Sequence, residues 1–361
     1  MDDILTSFDE KKSSYDSFAT SLKSLLNNLL LNNDMSVHSI ESRVKERSSL
    51  ELKIARKEKY KAINEVTDIV GVRIITHYSD DVDKVASIIE REFSIDQNNS
   101  IDKRASLEPD RFGYLSLHYI VSLNPSRANL HEHSKYNNYK AEIQIRTILQ
   151  HAWAEIEHDL GYKSSTGLPN EIKRRFSRLS GLLEIADSEF LEIKKNIELQ
   201  KEKAKEEIKS GEKNIAINKI TLPEYIDESE QIDIILESIS NKEYLISTPH
   251  ISNDSMDAIL AGLDYLKIST IDQLDELIKE HTPSIIARLE NMTPNLLKII
   301  SRTIMIRGLI ITHLIQNIIA YQNNKKIEIE YMNRITSGMS GKDITDLFSA
   351  IRSIIGTQVV Q

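Results

Sequence analysis

The chain has no cysteine among its 361 residues, which excludes structural disulfides, thiolate zinc sites and cysteine nucleophiles together. A targeting pattern is also missing. Met1-Asp2-Asp3 opens acidic, with neither a basic start nor an apolar run, which argues against a secretory signal. No long uncharged apolar run occurs either. The most apolar window, Leu296 to Tyr321, holds Lys298, Arg302, Arg307 and His313, each costly at bilayer depth, so it reads as a core or interface helix and not as a span. Nor is there an excess of positive charge: a net charge of −9 argues against a generally basic surface for nucleic acid. These absences fit a cytoplasmic protein with no membrane partner. The length is enough for two domains and a sizeable core.

What is present begins with a local basic cluster. Arg43, Lys45, Arg47, Lys53, Arg56, Lys57, Lys59 and Lys61 crowd into positions 43 to 61, either as a solvated helix face or as a site for a polyphosphate, which needs only a local patch. The second feature is the run Tyr139-Lys140-Ala141-Glu142-Ile143-Gln144-Ile145-Arg146-Thr147. Its alternation predicts a strand with Glu142, Gln144 and Arg146 on one face and Ile143 and Ile145 on the other. The run continues into a helix with apolar residues Ile148, Ala152, Ile156 and Leu160 at helical spacing and His151, Glu155 and His158 on a neighbouring polar stripe. A carboxylate on a strand that feeds a helix is well placed to hold a metal.

Periodicity predicts one or two helices over residues 3 to 33, a buried strand at Val70 to Thr76, an amphipathic helix at Asp81 to Arg91, and strands at Ser116 to Ser122 and Lys140 to Ile145. Asn124 to Asn138 reads as a loop. A long helix runs from Glu171 to about Ser210, and a boundary follows at Thr221-Leu222-Pro223, where proline halts the helical pattern. The remainder reads as short helices, with turns at Thr248-Pro249, Ser252-Asn253-Asp254, Thr282-Pro283 and Thr293-Pro294 and a helix start at Ser269-Thr270. The expected class is therefore α+β. A mixed-sheet domain flanked by helices spans residues 1–220, and a mostly helical domain spans 221–361.

Four segments carry a resemblance, in order and with approximate spacing: Ser42-Arg43-Val44-Lys45 with Ser49 and Lys53; Asp68-Ile69-Val70-Gly71-Val72-Arg73; Gly113-Tyr114-Leu115-Ser116-Leu117-His118; and the run around Glu142. Together they resemble the synthetase domain of the RelA/SpoT family, whose members move pyrophosphate from ATP to the 3′-hydroxyl of GDP or GTP. The likeness covers roughly residues 35 to 200. It implies a nucleotidyltransferase-like mixed sheet and a magnesium-dependent transferase. It also implies that Asp68 and Glu142 hold Mg2+, with Glu142 close to the acceptor hydroxyl as general base. Arg43 and Arg73 would sandwich adenine, since a planar, weakly hydrated guanidinium stacks on a ring. Lys45, Ser49 and Lys53 would take the ATP phosphates; their i, i+4, i+8 spacing makes one stripe if a single helix runs through them. Tyr114 would stack on the acceptor's guanine, with His118 near its phosphates and Ser116 on the same face. Without the resemblance, Asp68 reads as a turn cap and Glu142 as a partner for a lysine such as Lys140.

The sequence departs from the family at two points. Leu115 follows Tyr114 where a basic or polar residue is common, and Arg111-Phe112 stands where a lysine is expected shortly before the glycine. Arg111 is the candidate replacement for that charge. The departure keeps open a second acceptor, the 3′ end of tRNA or an adenine nucleotide, as in toxic relatives of the family. Lys103, Arg104, Arg111, Lys163, Lys173, Arg174, Arg175 and Arg178 would then face the tRNA phosphates. A third reading is a catalytically silent binding module. His158-Asp159 falls inside the helix after Glu142, so no hydrolase activity and no manganese site are expected. The C-terminal domain is expected either to restrain the enzyme until a protein trigger, such as a phage protein, releases it, or to assemble homo-oligomers.

Overall fold

The structure is a computed structural model describing residues 2–57, 60–106, 116–162, 169–212, 214–239, 245–246, 251–291, 304–305, 307–336 and 338–356. The chain divides into two compact units, 1–194 and 195–361, and the division falls inside a long helix.

The first unit contains, in order, α1 (Asp2–Leu31), β1 (Ser39–Val44), α2 (Arg47–Lys57), β2 (Val70–Thr76), α3 (Ser79–Glu92), β3 (Phe93–Ile95), β4 (Ile101–Asp102), α4 (Lys103–Ser106), β5 (Leu117–Leu123), α5 (Pro125–Ala128), β6 (Ala141–Thr147), α6 (Ile148–Tyr162) and the first part of α7 (Asn170–Ser210). Six strands form one mixed sheet in the order β1-β2-β6-β5-β3, with β4 beside β5. β2 and β6 are parallel, and the other pairings are antiparallel. The α+β class expected from the sequence is what the chain forms.

Pairing register sorts the side chains into two unlike faces. Val70, Val72, Ile74, Ile143 and Ile145 point to one face, are fully buried, and pack with Phe8, Phe18, Leu22 and Leu26 of α1 and Val85 and Ile89 of α3. These apolar residues recur at helical spacing along α1, which is one continuous helix. The opposite face carries the polar alternates: Arg43 pairs across to Gly71, Gly71 to Glu142, Arg73 to Gln144, and Gln144 to His118. One side of the sheet is core and the other is chemistry.

Two local expectations are corrected, and a third element has an orientation that its spacing left open. Lys45 lies in the link between β1 and α2, so no single helix runs through Lys45, Ser49 and Lys53. The stretch Asn124 to Asn138 is not all loop, because Asn124 caps the short α5 by accepting a hydrogen bond from the Arg127 amide. In α6 the apolar stripe faces outward. Ile156 and Leu160 are exposed, while on the polar stripe His151 is half-buried and Glu155, itself exposed, reaches Arg73 and Arg146 on the polar face of the sheet.

The second unit contains the rest of α7, then α8 (Thr221–Glu228), α9 (Glu230–Ile239), α10 (Asn253–Tyr265), α11 (Ile271–Asn291), α12 (Leu309–Tyr321), α13 (Lys325–Ile335) and α14 (Gly341–Ile355). Two-residue strands β7 (Leu245–Ile246) and β8 (Ile304–Met305) also belong to it. Pro223 sits in the first turn of α8, where its missing N–H costs no helical bond, so it starts a helix as well as ending a pattern. Pro283, expected in a turn, lies inside α11. The Thr282 hydroxyl donates to the Ile278 carbonyl at 2.7 Å, and the fully buried Ile278 and Ile285 hold the helix through it. Thr248-Pro249 and Thr293-Pro294 lie outside the described residues. Within the apolar window, α12 is core: Ile310, Ile311, Leu314 and Ile319 are inaccessible to solvent. Among the described residues, no helix is long and apolar enough to cross a membrane.

Candidate active site

The polar face of the sheet gathers most of the residues singled out from the sequence. Asp68, two positions before β2, is the first centre. Its Oδ2 lies 2.6 Å from Lys53 Nζ and 3.2 Å from Lys45 Nζ. Leu50 and Ile54, buried on the inner side of α2, anchor the helix that presents Lys53. Lys45 is fixed by its backbone, whose N–H donates to the Ile69 carbonyl at 2.8 Å. Burial pushes the Asp68 carboxyl up, and the two ammonium groups outweigh that push, leaving it below the usual carboxylate range. Its other oxygen, Oδ1, is buried and has no hydrogen-bond partner. Ser49 is exposed in the first turn of α2.

Glu142 is the second centre, one strand away on β6. Its Oε1 lies 2.8 Å from His118 Nδ1, and its Oε2 accepts a hydrogen bond from Gln144 Nε2 at 3.1 Å. His118 Nε2 is in turn 2.6 Å from Ser116 Oγ. With Glu142 ionised, Nδ1 is the donor, and in the neutral ring Nε2 accepts from the serine hydroxyl. Burial raises the Glu142 carboxyl, the nearby charge of Asp68 adds to that, and the hydrogen bond and charge of His118 together with the Gln144 hydrogen bond outweigh both, with a net shift below the usual range. Asp68 stands just before β2, the strand that pairs with β6, and its charge is felt at Glu142. Lys140 does not hold Glu142; it pairs with Asp96 at 2.6 Å.

The two arginines lie on the neighbouring strands of this face. Arg43 on β1 is exposed and runs over Gly71, where an added Cβ would stand 3.8 Å from its Cγ and Nε. Arg73 on β2 is ion-paired through Nη1 with Glu155 of α6 at 2.9 Å, and Glu155 also accepts from Arg146 Nη2 at 3.2 Å. Burial lowers the Arg73 pKa, with Arg43 adding to it and Glu155 opposing. Three members of the site were not singled out from the sequence as such. Glu155 and Arg146 were visible only as a stripe residue and a strand alternate. Lys103, seen only as one of many surface cations, is half-buried and electrostatically coupled to Glu142 and Arg146; burial depresses its pKa. Its position follows from β4 pairing beside β5, a two-residue strand with no periodic signal. Tyr114 and Arg111 lie outside the described residues, as do Gly113 and Leu115.

This arrangement can do four things: grip an anion with lysines, stack a planar ring between guanidiniums, hold a proton acceptor in a fixed orientation, and bind a cation between carboxylates. The family model described as "Region found in RelA / SpoT proteins" matches residues 42–167. GTP pyrophosphokinase YwaC of Bacillus subtilis (strain 168) is 30% identical over 166 residues, 45% of this chain and 76% of that protein. The chain belongs to the RelA/SpoT family. As a RelA/SpoT protein it is an enzyme of the pyrophosphotransferase type. GTP pyrophosphokinase YjbM of the same organism is 32% identical over 45% of this chain and 74% of its own length. The crystal structure of small alarmone synthetase 1 from Bacillus subtilis aligns with 28% identity and a TM-score of 0.46, over 54% of this chain and 98% of that one.

Proposed function

We propose that this RelA/SpoT protein transfers the pyrophosphoryl group of ATP to the 3′-hydroxyl of GDP or GTP, with AMP as the leaving group, making (p)ppGpp. The observation that carries the reading is the placement of Asp68, two positions before β2, and of Glu142 on the adjacent strand β6, beside Lys45, Lys53, Arg43 and Arg73. Two curated relatives are GTP pyrophosphokinases, which favours a guanine nucleotide as acceptor.

Phosphoryl-type transfer asks a protein mainly for positioning and charge neutralisation. Lys45 and Lys53 neutralise the ATP phosphates, and Ser49 in the first turn of α2 adds a hydroxyl. Arg43 and Arg73 clamp adenine. Glu142, oriented by His118 and Gln144, accepts the proton of the attacking hydroxyl. Ser116 holds His118 in place, and Tyr114 with Arg111 receives the guanine nucleotide. The donor set suits Mg2+, a hard cation that takes few carboxylates and keeps several waters: Asp68 Oδ1 is buried and unpartnered and Glu142 is one strand away. When bound, such an ion supplies neutralisation of the charge that develops on the phosphate oxygens.

The test is transfer of label from β,γ-labelled ATP, with GDP, GTP, ADP and deacylated tRNA offered separately and Glu142→Gln as control. Label on a guanine nucleotide, abolished by Glu142→Gln, is the expected result. Label on tRNA or ADP alone would overturn the acceptor assignment, and label on nothing would overturn the activity.

A further inference from the structure

Asp187 of α7 is almost fully buried, an expensive place for a carboxylate, and none of the roles above uses it. Its Oδ2 accepts a hydrogen bond at 2.7 Å from the hydroxyl of Thr147, itself inaccessible to solvent at the end of β6. Thr147 is also the N-terminal cap of α6. Its Oγ1 accepts from the Gln150 amide at 3.2 Å, while its own amide donates to Gln150 Oε1 at 3.0 Å, the reciprocal pairing of a capping box. A hydroxyl has one proton to donate. By taking that proton, Asp187 turns the oxygen's lone pairs toward the Gln150 amide and so fixes where α6 begins. A second tie joins the same two helices: Trp153 Nε1 donates to the Phe176 carbonyl at 3.1 Å, and the two rings meet edge to face. α6 then delivers Glu155 to Arg73 and Arg146.

We propose that Asp187 is a positioning residue for ATP: through the Thr147 cap it sets the start of α6, and through Glu155 it sets the orientation of Arg73. The inference rests on the reading of Arg73 as an adenine clamp. A rigid helix transmits a small displacement at its first turn to a side chain two turns on, about 12 Å away along the axis, and displacements of this size cost binding and rate.

The chain's single tryptophan is Trp153, so its fluorescence reports on α6 directly. Wild type and variants of the full chain are titrated with a non-hydrolysable ATP analogue, and KM is measured separately for ATP and for the guanine nucleotide. Asp187→Ala is expected to raise the analogue Kd and the ATP KM about tenfold, to shift Trp153 emission, and to leave kcat and the acceptor KM within about twofold. Asp187→Asn, which keeps an acceptor oxygen for Thr147, is expected to stay near wild type. Thr147→Val should reproduce the Asp187→Ala change, and the two together should be no worse than either alone. If Asp187→Ala does not fold, Thr147→Val carries the same test. A fall in thermal stability with ATP constants unchanged, or an equal rise in both KM values, would overturn the inference. Arg73→Ala and Glu155→Gln separate it from the reading beneath: if they leave analogue binding intact, the adenine clamp itself fails. If they weaken binding and Asp187→Ala does not, only the role of Asp187 fails.

Discussion

The two units place their inward-facing charges in opposite ways. In the first, Asp68, Glu142 and Arg73 sit half-buried on one sheet face, paired with groups of opposite charge or with a histidine, and Asp68 Oδ1 has no partner. In the second, Arg288 is buried deep in a helical core among neutral acceptors: Asn317 Oδ1 at 3.0 Å, the His313 carbonyl at 3.4 Å, and Gln316. Burial lowers its pKa to about 10. Glu328, inaccessible to solvent, is ion-paired with Arg352. Both sets keep buried atoms without a hydrogen-bond partner, Asp68 Oδ1 in the first and Glu328 Oε2 and His313 Nδ1 in the second, but the first set is only partly buried and a ligand can reach it. The second is closed inside its own core, where a charge costs stability. Titratable groups mark a site only when they also stay accessible.

Replacements in the two sets should therefore fail in different ways. The largest expected effect is Glu142→Gln, which removes the proton acceptor: transfer should fall about a thousandfold, roughly 4 kcal/mol of barrier. The unfolding midpoint should stay close to wild type, and a large drop in it would erase the contrast. Next comes Glu328→Ala. Leaving Arg352 without its partner should cost the helical unit about 3 kcal/mol, read by denaturant unfolding, with the ATP KM of the folded protein unchanged. Arg73→Ala should raise the ATP KM about tenfold, near 1.4 kcal/mol, with thermal stability little affected.

The most gradual effect is a pH slope. His313 is buried, and burial first, then the charge of Arg288, holds its pKa well below the ordinary histidine value. A group depressed in the folded state stabilises above its unfolded pKa, and that contribution is lost as pH falls. Below roughly pH 6.5 the helical unit should lose about 1.4 kcal/mol per pH unit until the folded-state value is reached. Unfolding curves of wild type and His313→Gln at neutral and mildly acidic pH would sharpen this, since the slope should flatten in the variant.

Much of the first unit was legible in the sequence because its strands are buried on one face. Alternation located β2, β5 and β6 and put Glu142 and Gln144 opposite Ile143 and Ile145, as the structure has them. β1 escaped notice: Ser39-Ile40-Glu41-Ser42-Arg43-Val44 is an edge strand, half-exposed on both faces, although Ile40 and Val44 alternating with Glu41 and Arg43 was the available signal. The short β4 had none, and with it went the place of Lys103. For α6 the spacing predicted the helix but not its orientation, since an apolar stripe at helical spacing need not face inward when the neighbouring surface is polar.

The sequence by itself determined the α+β class, the family and which residue types carry chemistry, because side-chain periodicity and motif order are local properties of the chain. Tertiary structure alone decided that Asp68 holds two lysines, that Glu155 reaches across to Arg73, and that Asp187 meets Thr147 forty residues away. Those contacts join residues distant in sequence. They exist only because strand register and helix packing bring particular atoms within hydrogen-bond distance, and no local pattern encodes that distance.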